Sequence, residues 1–183
     1  MKRILLPILV MGILLLNACG TPSTAPSTEA PSTPPGQQVE LNYGEHATVT
    51  YQQIIDIITA AITRELELED YDYRLRKIEI EDAKIHVYFD CHFDVPSGDW
   101  IRNEGKSWVK FVAATGIWDE NHSIVGNIYS TGYDIYVHMW TWWGEDEITP
   151  WGQAIIRNSG KPFTTGDLDR WEWIDGAGMQ ILE

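Results

Sequence analysis

One stretch constrains the fold more than any other. Between Lys84 and Asp94, the apolar residues Ile85, Val87, Phe89, Cys91 and Phe93 fall on every second position. Strand geometry puts alternate residues on one side, so this segment reads as a strand with one side to bury. Lys84, His86, Tyr88, Asp90, His92 and Asp94 share its other side. Residues 133–142 repeat the arrangement, with Ile135, Val137 and Met139 on one face and Asp134, Tyr136, His138, Trp140 and Trp142 on the other. The chain therefore needs a sheet with one aliphatic face and one that is aromatic, acidic and histidine-bearing.

A layer to cover the aliphatic face is readable nearby. Thr50-Tyr51-Gln52-Gln53 fits a capping box, with Thr50 at the N-cap and Gln53 reaching back. Tyr51, Ile54, Ile55, Ile58, Ala61, Ile62 and Leu66 then recur at helical spacing, predicting a helix over 51–66. A second helix over 98–116 carries Ile101, Gly105, Trp108 and Val112 on one stripe, with Trp100 and Phe111 flanking. Strands are expected over 75–81, 84–94, 123–130 and 133–142, with Glu81-Asp82-Ala83 and Ser130-Thr131-Gly132 as turns. Thr149 at an N-cap and Pro150 at the first helical position predict a short third helix to Asn158. The tail from Lys161 reads as irregular and contains Phe163, Trp171 and Trp173. The expected fold is α+β: a two-layer sandwich of about four antiparallel strands with helices on one face, in the order α-β-β-α-β-β-α.

The chain opens Met1-Lys2-Arg3, then runs apolar from Ile4 to Leu16. That run is roughly 13 residues, short of the about 20 a bilayer-spanning helix needs. It ends in Leu16-Asn17-Ala18-Cys19, which resembles the lipobox of bacterial lipoproteins. The resemblance implies a signal peptide over 1–18, a diacylglyceryl group on the Cys19 thiol and a mature chain held to the membrane by its acyl chains, palmitate among them. A plain secretory signal cut at an A-x-A-like site is the other reading of the same segment. Gly20 stands where family members kept at the inner membrane commonly carry aspartate, so an outer membrane is the implied destination where the cell has one. Residues 19–38, the lipidated cysteine and a stretch rich in Pro, Ser and Thr, read as an extended tether. Residues 39–183 form a single domain.

The chain is acidic, with a formal net charge of -14. Nucleic acid and anionic lipid are poor partners for it, since both are bound through basic patches. Once Cys19 is acylated, Cys91 is the remaining cysteine, and its place among alternating apolar residues reads as a small hydrophobe in the core.

Candidate functional residues lie on the aromatic face. Tyr88, Tyr136, Trp140 and Trp142 could stack on a sugar ring while carboxylates bond its hydroxyls, and exposed apolar patches mark interaction sites. The bland alternative is that Phe163, Trp171 and Trp173 fold back from the tail and bury Tyr136, Trp140 and Trp142. Asp90, His92 and Asp94 project from one side of a strand, a pattern suited to zinc or manganese, and equally to an ordinary solvated strand end. His86 lies about 20 Å away along that strand; His138 joins only if the register allows. The chain carries no G-x-S-x-G elbow, HExxH, Walker loop or Rossmann glycine pattern, and Gly144-Glu145-Asp146-Glu147 lacks the spacing of a calcium loop. Cys91 and His92 point to opposite faces and form no dyad. The expectation is a non-enzymatic binding or interaction module without cofactor, facing a protein or glycan outside the membrane. A carbohydrate-binding domain and a metal-dependent envelope enzyme are the alternatives.

Overall fold

A computed structural model describes residues 36–42, 47–69, 73–92, 98–143 and 147–176. The chain divides into two units, Met1–Ala30 and Pro31–Glu183, and all described residues belong to the second. Residues 1–35, on which the expected signal segment, the lipidation at Cys19 and most of the expected tether fall, lie outside the described residues.

Strands β1 (Gln38–Glu40) and β2 (Thr48–Thr50) form a short antiparallel ribbon that runs directly into helix α1 (Tyr51–Glu69). The start of α1 is the capping box expected from sequence. Gln53 N donates to Thr50 Oγ1 at 3.1 Å, and Thr50 N donates to Gln53 Oε1 at 2.8 Å. Ile54, Ile58 and Ile62, one helical turn apart, are fully buried. Next come β3 (Tyr73–Glu81) and β4 (Lys84–His92), an antiparallel hairpin closed by Asp82 and Ala83, both at positive φ (46° and 57°). Two successive left-handed residues give the turn whose twist matches that of paired strands. Helix α2 (Gly98–Ala114) buries Ile101, Gly105, Trp108, Val109, Val112 and Ala113.

Beyond α2 the chain forms β5 (Gly116–Trp118) and β6 (Ile124–Asn127), then β7 (Asp134–Trp143), β8 (Glu147–Ile156) and β9 (Trp171–Asp175). The main sheet has the order β3-β4-β7-β8-β9. Its apolar face, including Ile78, Ile85, Val87, Phe89, Val137, Met139, Ala154 and Ile156, forms one buried cluster with the apolar stripes of both helices. Cys91 sits in this cluster, fully buried, as its strand position implied.

The fold is α+β, but its connectivity departs from expectation in four ways. First, residues 149–158 are not a helix. Thr149 and Pro150 mimic a helix start, yet the segment is strand β8, antiparallel to β7. Pro150 is tolerated because the β7–β8 register shifts between Met139 and Trp140, beside it. Second, the expected hairpin across Ser130-Thr131-Gly132 does not exist. β6 pairs with β5, and Ile128–Thr131 is a 3-10 turn capped by Asn127, whose Oδ1 accepts from Ser130 N at 3.0 Å. Third, the sheet is mixed and five-stranded, not antiparallel with about four. β7 lies parallel to β4, and such a pair needs a long crossover, supplied here through α2. Fourth, the tail contributes edge strand β9, so the observed order is not α-β-β-α-β-β-α.

The tail also settles which face it covers. Ala154 is paired with Trp173 and Ile156 with Trp171, so both tryptophans share the buried side of β8. A Cβ added at Gly105 of α2 would lie 2.7 Å from the Trp173 ring and 3.3 Å from Ala154 Cβ, which places that ring between sheet and helix. Arg102 and Lys106 of α2 lie over Trp171, at 5.8 and 5.2 Å from the ring centre. Phe163 packs on Tyr129 instead. Tyr136 and Trp140 are buried, at 9 % and 8 % exposure, but not beneath the tail's aromatic residues, because period two turns the tail's apolar side toward the helices.

Candidate functional site on the outer sheet face

The face turned away from the helices brings together Tyr88, Asp90 and His86 of β4 with Tyr136, His138 and Trp140 of β7. Parallel pairing sets the geometry. His86 lies beside Tyr136, Tyr88 beside His138 and Asp90 beside Trp140. The rings stand on edge and face one another. Tyr88 and His138 are stacked at 4.2 Å with planes 7° apart, and His86 and Tyr136 are stacked at 4.8 Å. The two histidines meet diagonally, His86 Nδ1 to His138 Nε2 at 2.9 Å.

Cations from the neighbouring strand roof these rings. The β3–β4 register slips between Leu75 and Lys77, and this bulge turns both Arg76 and Lys77 to the outer face. The Arg76 guanidinium lies 5.2 Å from the Trp140 ring centre, and the Lys77 ammonium 4.6 Å from that of Tyr88. Each cation also meets a carboxylate. Lys77 Nζ is 2.9 Å from Glu79 Oε1, and Asp90 faces Arg74 Nε at 3.0 Å and Arg76 Nη1 at 3.7 Å. At the other end Arg157 bridges Asp134 at 3.5 Å, Glu172 at 2.6 Å and the Tyr136 hydroxyl at 3.3 Å. The face is therefore nearly closed, with Asp90 only 2 %, His138 6 % and Trp140 8 % exposed.

Four buried polar atoms on this face have no hydrogen-bond partner: His86 Nε2, His138 Nδ1, Asp90 Oδ1 and Trp140 Nε1. An unmade hydrogen bond at a buried group costs about 1–3 kcal/mol, so a native fold rarely keeps several together without a use. Burial pushes the His138 imidazole down to about 3, reinforced by His86 and Lys77, and burial lowers His86 too. Both rings are then neutral near neutrality. One donates across the 2.9 Å contact, which leaves one free N–H and one free lone pair at opposite ends of the pair. With Trp140 as donor and Asp90 as acceptor, the orphan set is evenly mixed. Burial also raises the Tyr88 hydroxyl, helped by the charge of Glu79 and a hydrogen bond with it.

Of the sequence candidates, Tyr88, Tyr136 and Trp140 converge here, while the Trp142 side chain lies outside the described residues. Their ring faces are taken by other rings or by cations, so a sugar would meet edges and not a flat platform. For the metal pattern, Asp94 and the His92 side chain lie outside the described residues, and Asp90 is held by arginine. Among the described residues no group of three His, Cys, Asp or Glu side chains is arranged to hold a metal. Sequence reasoning missed the His86–His138 contact and the role of Arg76 and Lys77. The first needs the parallel register and the second a bulge, and neither leaves a local signal. Cys91 below the face is inert: burial first, then the charges of Asp90 and Glu104, raises its thiol.

Compared with known proteins, the chain matches no family model, no curated protein and no solved structure.

Proposed function

We propose that this chain is an extracytoplasmic lipoprotein, held through lipid on Cys19, whose domain binds a neutral hydroxyl- or amide-bearing ligand, a glycan foremost, at the outer sheet face. The observation that carries this reading is the cluster of four buried polar atoms on that face without a hydrogen bond, of which Asp90 Oδ1 has only the 3.7 Å ion pair with Arg76. A hydroxyl donates and accepts, as does an amide, and either suits a mixed set of two donors and two acceptors. An ion of either sign would satisfy only half of it. The roof over these atoms consists of long side chains, and Arg76, at 39 % exposure, and Lys77 can swing aside with their charges still solvated. The N-terminal motif supports display outside the membrane, and the Pro-rich stretch supports reach from it.

The test uses the acylated protein in detergent, screened on immobilised glycans. Trp140→Phe keeps a six-membered aromatic ring and deletes the indole N–H; His138→Phe keeps a ring and deletes both nitrogens. Binding by the parent and a loss on the order of tenfold in each variant is expected. A parent that binds no glycan, or variants that bind equally well, would remove the reading. Cys19→Ala, checked by palmitate labelling, is expected to release the protein from membranes.

A further inference from the structure

We propose that the cleft between α1 and α2 binds the ammonium head of a small organic cation. The inference goes beyond the outer-face reading and does not depend on it. The cleft has a volume of about 160 Å³ and is lined by Glu65 of α1 and by Glu104, Ser107, Trp108 and Phe111 of α2. Sites for drug-sized molecules run to roughly 300–1,000 Å³, so this one admits a single head group.

Its walls have the form a cation needs. The Trp108 and Phe111 rings stand nearly perpendicular, at 85° and 5.5 Å. The half-buried Phe111 ring is the main wall of the cleft and Trp108, 4 % exposed, adds a narrow second one; ring quadrupoles attract ammonium groups more strongly once water is excluded. Trp108 is braced from behind by Tyr73 at 6.3 Å and Phe89 at 4.6 Å, so its orientation is fixed before any ligand arrives. The Ser107 hydroxyl donates back to the Asn103 carbonyl at 3.1 Å, which leaves its oxygen as an acceptor.

Charge decides the sign of the occupant. The cations of α2 are committed to its opposite flank: Arg102 and Lys106 lie over Trp171, and Lys110 pairs with Asp169 at 2.9 Å. Glu65 and Glu104 are half-buried, and no ion pair to either is found among the described residues. An anion would be repelled. A neutral sugar would leave both carboxylates uncompensated, and a bare divalent ion would want six or more oxygen ligands. An alkylammonium group answers both features, with methyl groups for the rings and positive charge for the carboxylates. A phosphate beside the nitrogen would meet the same carboxylates unfavourably, which points to a phosphate-free ammonium compound and away from a phospholipid head group. The chain's net charge of -14 favours approach of cations.

Calorimetric titration of the acylated protein in detergent, at constant ionic strength, tests this with four probes: tetramethylammonium, choline, phosphocholine, and 3,3-dimethylbutan-1-ol as the uncharged isostere of choline. Saturable binding of tetramethylammonium and choline is expected, with phosphocholine weaker and 3,3-dimethylbutan-1-ol weaker than choline by at least about tenfold. Glu104→Gln is expected to weaken tetramethylammonium on the order of tenfold, and Phe111→Leu several-fold, with far-UV circular dichroism unchanged. Should Phe111→Leu fail to fold, Glu65→Gln takes its place as the second variant. The proposal falls if tetramethylammonium gives no saturable heat, if the uncharged isostere binds as well, or if the carboxamide variants bind tetramethylammonium like the parent. Phosphocholine binding as tightly as choline would overturn the assignment to a phosphate-free ammonium compound. Glycan binding at the outer face is unaffected by these variants, so the two readings fail separately.

Discussion

An imidazole enclosed among other rings loses the hydration that its charged form requires, and its proton affinity drops. His138 is pushed down to about 3 in this way and His86 is lowered with it, against 6.5 for the free side chain. Below about pH 6.5 the unfolded chain therefore binds protons that the native pair refuses. Stability is fully present above that pH and falls as pH drops toward about 3. For His138, only 6 % exposed, the loss between about pH 8 and about pH 5 is ~2 kcal/mol. Urea unfolding of parent and His138→Phe at the two pH values checks this, with a clearly smaller difference expected in the variant; equal differences would show that His138 is not the titrating group. Which residues share this face was legible in the period-two pattern of 84–94 and 133–142. That the two histidines touch was not, because a diagonal contact exists only in one register of one parallel pairing.

At the scale of elements, legibility followed how local the signal is. The α1 cap is closed within four residues, Thr50 to Gln53, and was read correctly. β8 was misread because Thr149-Pro150 imitates a helix start, while the forces that make it a strand come from β7 on one side and β9 on the other. Gly152 shows how tight that fit is. A Cβ there would meet the Trp173 ring, and the Ile174 carbonyl oxygen at 2.6 Å. Backbone cannot yield as a flexible side chain can, so Gly152→Ala is expected to cost about 1–3 kcal/mol, read as a lowered midpoint in thermal unfolding. A midpoint like that of the parent would mean that β9 is not seated against β8 as described.

At the scale of the molecule, the tail is structural. β9 covers the edge of β8 and lays Trp171 and Trp173 against α2. Ending the chain after Arg170 would bare an edge strand carrying Ala154, Ile155 and Ile156, all fully buried in the intact fold. Such a truncation is expected to aggregate, or to unfold at markedly lower temperature, in sedimentation and thermal melts; a soluble product melting like the parent would refute this. The sequence by itself determined the local matters: the α1 cap, both helices, the β3–β4 hairpin, the inward Cys91 and the two unlike faces of the sheet. Periodicity and capping act within a few residues, so one chain suffices to read them. Tertiary structure alone decided that β4 and β7 run parallel, that residues 149–156 form a strand, that the tail packs on the helix side, and that orphan polar atoms gather under Arg76 and Lys77. Those outcomes depend on register between segments about 50 residues apart, and on which surfaces remain to be covered once the rest has packed.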